Sequence, residues 1–180
     1  MRVTRKAGKI EALRVAAKGL DGAQSHVGWF ESAKYENGAP VAGVAAVQEF
    51  GSPAKGIPPR LGMRATATAK REEWKRTVEQ LSRATARGEL PPGKVMEAVA
   101  MAAGGHVAAT ITKVTSPALK ASTVAARKRR LADKGKSLKG AKGGAGVAGI
   151  EKPLVDTGIL LNTLSYEFEG KETRIMEGKK

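Results

Sequence analysis

Two long helical patterns, separated by a break rich in proline and glycine, constrain the fold of this chain most strongly. In the first, over 61–86, apolar residues share one face and the opposite face is charged; these residues are Met63, Ala67, Trp74, Val78 and Leu81. The segment Gly88-Glu-Leu-Pro-Pro-Gly93 interrupts the pattern. In the second, over 94–114, apolar residues recur at every fourth position; these are Val95, Val99, Ala103, Val107 and Ile111. We therefore predict two consecutive long helices.

A glycine pair lies inside the second predicted helix, at Gly104-Gly105. Two internal glycines cost roughly 2 kcal/mol relative to alanine. Close backbone packing is the usual compensation, and many alanines are nearby. We therefore predict that another element packs closely against this helix at the glycine pair.

Weaker patterns predict the remaining elements. In chain order they are a helix over 8–20, a strand over 26–35, a turn at Asn37-Gly38, a helix over 41–50, a loop over 52–59, a basic helix over 121–131, a short helix ending near 164, and hairpin strands at 165–169 and 173–176. A chain of 180 residues is long enough for one domain with a real core, so we expect a single domain over 1–180.

The composition predicts a thin core and an acidic partner. Hydrophobic residues make up 41% of the chain but aromatic residues only 4%, so a subunit of this kind gains from burial against neighbours. There is no cysteine, which excludes disulfides and thiolate chemistry. No apolar run approaches the ~20 residues that cross a bilayer, so we expect no membrane partner. The basic start, Met1–Lys6, lacks the apolar core of a signal peptide and is interpreted as the mature start.

About half of the formal net charge of +15 comes from one basic region. Its members are Arg127, Lys128, Arg129, Arg130, Lys134, Lys136, Lys139 and Lys142. Most of the lysines lie in 133–149, a Gly/Lys-rich segment with too little apolar surface to order itself, which we predict to be a flexible loop. Such charge suits phosphate neutralisation or an acidic protein face, and the sequence leaves both open. No aromatic residue is interleaved, which argues against base stacking.

The triplet Asp156-Thr157-Gly158 has two interpretations. In a dimeric aspartic protease, two such triplets would share a proton and activate water. That fold is nearly all β, whereas two long helices precede this triplet. We favour the second interpretation, in which Asp156 or Thr157 caps a short helix. His26 and His106 have no second ligand at metal-site spacing, so we expect structural roles for both, and no catalytic, cofactor or metal residue.

Four segments in this order resemble the neck and tail-completion (virion morphogenesis) proteins of Mu-like and lambdoid tailed bacteriophages. They are Val44–Gly51, which ends in Glu-Phe-Gly, Ile57–Arg64, Ser116–Thr123, and Lys152–Gly158, which contains Asp-Thr-Gly. The likeness covers roughly residues 26–170. The chain departs from the family pattern at Leu61-Gly62, where Pro-Phe is frequent.

The resemblance implies a small α+β fold, with an antiparallel sheet packed against one or two long helices. It implies a structural virion protein, assembled in the bacterial cytoplasm, that forms a ring, commonly sixfold, at the head–tail junction or tail end. Its partners would be tail-tube and connector proteins, with possible contact to DNA in the lumen, and it would need no catalysis or cofactor. The motif residues would be Glu49, Phe50, Gly51, Pro58 and Arg60 for a loop, and Asp156, Thr157 and Gly158 for the last helix. The alternative is a non-specific, basic DNA-binding protein.

Overall fold

A computed structural model describes residues 4–60, 62–133, 150–154, 158–169 and 171–175. The elements, in chain order, are α1 (Thr4–Leu20), β1 (Ser25–Gly28), α2 (Val41–Phe50), a 3-10 turn (Pro53–Lys55), α3 (Met63–Ala86), α4 (Gly93–Lys113), α5 (Ala121–Asp133), α6 (Ile159–Asn162), β2 (Ser165–Phe168) and β3 (Lys171–Arg174). The fold is α+β, with a small antiparallel sheet packed against helices, as predicted. Almost all of the predicted 133–149 loop lies outside the described residues.

The sheet joins distant parts of the chain. Its strand order is β1-β2-β3, and both pairings are antiparallel. Val27 of β1 lies opposite Tyr166 of β2, which in turn lies opposite Thr173 of β3. One face of the sheet packs against α4, α4 packs against α3, and α1 lies on α3. The predicted hairpin at the end of this region is therefore present, and β1 extends it to three strands.

The core lies where α4 meets the sheet, α2 and α6. Its most deeply buried apolar side chains include Val41, Ile111 and Leu164, each 0% exposed. The indole Nε1 of Trp29 packs at the edge of this core and donates a 2.7 Å hydrogen bond to the carbonyl of Leu160. The core is therefore built mainly from aliphatic side chains, as the composition indicated.

The expectation that no apolar stretch approaches membrane-spanning length does not hold for α4. Among the described helices, it alone is long and apolar enough to cross a membrane by length and composition. Core helices pass the same test, and α4 buries seven residues in this fold: Val95, Ala100, Ala103, Gly104, Val107, Ala108 and Ile111. The apolar character of α4 is thus accounted for by its central position in the fold.

The predicted strand over 26–35 was wrong beyond Gly28. After β1 the chain turns, because the amide of Ala33 bonds to the carbonyl of Phe30 at 3.0 Å. A second turn at Asn37-Gly38, as predicted, returns the chain so that Val41 N bonds to Ala33 O at 3.0 Å. The alternating apolar residues between Gly28 and Val41 therefore lie in two successive turns that bring them to the core, not in one extended strand.

The glycine pair in α4 is close-packed at one position only. A Cβ built on Gly104 would lie 1.6 Å from Cδ1 and 2.8 Å from Cγ1 of Ile175. A Cβ built on Gly105 would meet nothing within 4 Å. Close packing is therefore confirmed at Gly104, where the end of the sheet crosses the helix, and was wrongly predicted at Gly105.

The predicted apolar stripe of α3 is confirmed except at one position. Its half-buried members are Met63, Trp74, Val78 and Leu81, whereas Ala67 is exposed and the neighbouring Thr66 is buried instead. The Thr66 hydroxyl lies 2.9 Å from the carbonyl of Gly62 and 2.7 Å from the hydroxyl of Thr110 on α4. This threonine pair lets the two long helices approach closely, because each hydroxyl is hydrogen-bonded where the helices meet.

Candidate partner-binding site

Glu49, at the end of α2, caps α3 from a distance. Its carboxylate accepts bonds from the backbone N–H groups of Met63, at 2.8 Å, and Arg64, at 3.1 Å, and from Arg64 Nε at 3.0 Å. The N-cap residue of α3 is Gly62, which has no side chain to do this. Burial alone would raise the pKa of Glu49, but the backbone N–H bonds from Arg64 and Met63 and the adjacent guanidinium outweigh it and lower the pKa.

Gly51 allows the tight loop that follows α2. Its φ is 79°, and a Cβ there would lie 2.9 Å from the carbonyl oxygen of Ile57 and 3.1 Å from the ring of Pro59. Ser52 and Ile57 close the loop by mutual backbone bonds of 2.8 and 3.0 Å. The predicted loop is therefore a compact structure in which Gly51 is sterically required. Pro58, in the same segment, is half-buried.

Arg60 joins this loop to the segment between α4 and α5. Its amide donates to Gln48 O at 2.6 Å. Its guanidinium donates from Nε to Pro117 O at 2.8 Å and from Nη2 to Ala118 O at 3.2 Å. Arg60 thus holds three separate stretches of chain together.

Arg127 was predicted to face a partner, and the structure contradicts that prediction. The residue is only 9% exposed. Its guanidinium donates to the carbonyls of Ile150, at 3.0 Å, Lys152, at 2.8 Å, and Pro153, at 3.2 Å. The helical period of α5 turns Arg127 inward, where it holds the chain before α6, and leaves Lys128, Arg129 and Arg130 exposed.

The remaining lysines of the basic region and the two residues predicted to cap the last helix are not in the described part of the chain. The partner-contact residues Lys134, Lys136, Lys139 and Lys142 lie outside the described residues, as do Asp156 and Thr157. The residue at the N-cap of α6 is Gly158, at φ 75°, with no side-chain cap bond. The carbonyl of Gly158 accepts bonds from Leu161 N at 3.0 Å and Asn162 N at 2.9 Å.

Phe50 does not support the loop from inside. It is 64% exposed, and the guanidinium carbon of Arg64 lies 4.6 Å from its ring centroid. Phe50 and Arg64 form an exposed aromatic and cationic patch at the start of α3, where the buried Glu49 carboxylate holds Arg64 in place. An exposed aromatic next to arginine has the chemistry of an interface contact.

The four segments that carry the phage-protein resemblance meet around one cavity of about 250 Å³. Its lining includes Gln48 from the first segment, Ile57 and Arg60 from the second, Lys120 from the third and Pro153 from the fourth. These residues come from three places widely separated in sequence, around 48–60, 120 and 153. Their convergence is the strongest sign that the motif set is one structural unit.

The histidines do not form a metal centre within the described part of the chain, where no group of three His, Asp or Glu residues is close enough to hold an ion. His106 accepts a 2.9 Å bond at Nδ1 from the indole of Trp74, and its Nε2 lies 3.4 Å from Glu73. The ring planes are inclined by 24° and the centroids are 6.2 Å apart, so the two rings meet edge to edge through this bond. This geometry gives His106 a structural role between α3 and α4, a contact that sequence spacing alone did not indicate.

No protein-family model, curated protein or solved structure matches this chain in the comparisons.

Proposed function

We propose that this chain is a structural subunit of a tailed bacteriophage, in the neck or at the tail end, where a ring of copies caps the tail tube and joins it to the head. The observation that carries the proposal is the convergence of the four motif segments on one cavity through the bonds of Arg60 and Arg127. A motif set that merely recurred by chance would not be expected to fold into one unit. The subunit acts by assembly, without catalysis or a cofactor, in the virion.

Exposed apolar side chains support an assembling subunit. On α1, Ile10, Leu13 and Val15 are each more than half exposed, as are Phe50 and Met101 elsewhere. A small aliphatic core and this amount of exposed apolar surface fit a subunit that buries further area against neighbours. Head-to-tail contacts of this kind close into a ring when the rotation between copies closes.

The test is assembly of the purified protein, alone and with tail-tube and connector proteins, followed by light scattering and electron microscopy. We expect rings, or incorporation at the end of tubes, and tubes of limited length when the protein is added. The double variant Ile10→Ser/Leu13→Ser should weaken assembly at least tenfold, whereas Arg14→Ser, on the same helix, serves as the matched control. A protein that stays monomeric at high concentration and joins neither tube nor connector would refute the proposal.

Non-specific DNA binding is the alternative favoured by one observation, the exposure of Lys128, Arg129 and Arg130 on α5. It predicts that affinity for duplex DNA falls steeply with salt and that neutralising these three residues flattens the dependence. Strong, salt-sensitive DNA binding without any assembly would favour this alternative over the ring.

A further inference from the structure

The cavity where the four segments meet is basic. Arg127 lines it, with its guanidinium bonded to backbone carbonyls. Three further cations also line it: Lys55 and Arg60 from the loop that follows α2, and Lys120 from the residue before α5. Among the described residues, no acidic residue lines the cavity, and no carboxylate lies within ion-pair distance of these three cations. Cations gathered around a concave surface raise the local positive potential, so the cavity favours an anion.

The start of α5 adds to this potential. Thr123, in the first turn, also lines the cavity. The first turn of α5 contains no acidic residue. A helix N-terminus carries a partial positive charge that an anion stabilises, and here no side chain of the first turn supplies one.

One packing detail leaves space for a cation at the cavity. The ammonium of Lys120 lies against Gly56, where a built Cβ would be 2.9 Å from Nζ, so Gly56 leaves room for this cation at the cavity.

We infer that this cavity binds a phosphate group, either as free phosphate or as a phosphate of a nucleic-acid backbone. The inference is independent of the proposed ring function. A planar carboxylate is best recognised by a free arginine fork, but the fork of Arg60 is already bonded to Pro117 O and Ala118 O. What remains is two lysine point charges and the partial positive charge of a helix N-terminus, arranged in three dimensions, which suits a tetrahedral group with more than one negative charge.

The first test measures inorganic phosphate binding by calorimetry, at constant ionic strength set with chloride. The double variant Lys55→Gln/Lys120→Gln should raise Kd by about tenfold or more, since a single charge-assisted hydrogen bond accounts for that much. Its matched control is Lys75→Gln/Lys113→Gln, which removes the same charge at exposed positions of α3 and α4 outside the cavity. The control should change Kd less than twofold. No phosphate binding by the wild type, or an equal loss in both variants, would overturn the inference.

A second variant avoids any dependence on lost stability. Thr123→Glu places a carboxylate in the first turn of α5 and in the cavity, where it would replace the anion. We expect a higher Tm than the wild type in the absence of phosphate and a loss of the phosphate-induced rise in Tm. A lower Tm, or an undiminished response to phosphate, would contradict the presence of an anion site here.

Duplex DNA distinguishes the two sources of the phosphate. If the backbone of DNA supplies it, Lys55→Gln/Lys120→Gln should weaken binding of a short duplex at least fivefold more than the control pair does, and inorganic phosphate should compete with the duplex. If free phosphate is the ligand, the two double variants should bind the duplex equally, while only Lys55→Gln/Lys120→Gln loses inorganic phosphate. Equal behaviour of both double variants toward both probes would refute the site.

Discussion

Replacing the two adjacent glycines of α4 one at a time tests how closely the sheet packs on this helix. Each change to alanine adds a methyl group and gains about 0.8–1.0 kcal/mol of helix propensity. At Gly105 nothing lies within 4 Å, so the free energy of unfolding should rise by about that amount. At Gly104 the methyl group would lie 1.6 Å from Ile175 Cδ1, and overpacking of this kind costs about 1–3 kcal/mol.

The informative quantity is the difference between the two variants, because the propensity gain is common to both. We expect Gly104→Ala to be less stable than Gly105→Ala by about 1–3 kcal/mol, measured by urea denaturation followed by circular dichroism. In a chain of this length each 1 kcal/mol shifts Tm by roughly 2–4 °C, so a thermal melt gives an independent reading.

A third variant identifies the contact. Ile175→Ala removes the Cδ1 and Cγ1 atoms that crowd position 104 and leaves Val27 Cγ1 at an ordinary 3.5 Å. In that background Gly104→Ala should stabilise the protein as much as Gly105→Ala does. Equal stabilities of the two single variants, or no coupling between positions 104 and 175, would refute the packing described here.

Three further predictions concern buried polar contacts. Glu49→Gln should lower the free energy of unfolding by about 1 kcal/mol at pH 7. The folded-state pKa of Glu49 lies below its ordinary value of 4.5, so this loss should be present above pH 4.5 and shrink as the pH falls through the folded pKa. Urea denaturation across pH 3–7 measures it. Arg127→Lys loses the fork that reaches three carbonyls and should cost about 1–3 kcal/mol, whereas exposed Arg129→Lys should be neutral in the same assay. Thr66→Val removes the 2.7 Å bond between the two hydroxyls, while Thr110 keeps its 3.0 Å bond to the carbonyl of His106, so the change should cost about 0.5–1.5 kcal/mol. Additive losses in Thr66→Val/Thr110→Val would contradict the pairing.

The helices were predictable because their signals are local. Helix α2 begins and ends where the sequence indicated, and α3 and α4 do so to within two residues, since glycine and proline mark their ends and a four-residue apolar period fills α4. Strand β1 was extended too far because the alternation of apolar residues continues through turns that bury Ala33 as well as a strand would.

The candidate site was harder to predict because its contacts are distant in sequence. The cap of α3 comes from Glu49, fourteen residues before Met63, so no local capping pattern exists. Arg127 belongs to a run of four basic residues, and only the docking of α5 decides which of them points inward. The threonine pair between α3 and α4 was missed because a helical pattern of apolar residues does not include threonine.

The pairing of β1 with β2 has a consequence for synthesis. During translation, β1 leaves the ribosome long before its only described sheet partners, which follow more than a hundred residues later. Until residues 165–175 have been made, the face of α4 that carries Gly104 has no sheet to cover it. A nascent chain of this protein therefore cannot present a finished surface to other molecules before then, so any association that needs that surface must wait until residues 165–175 have been made.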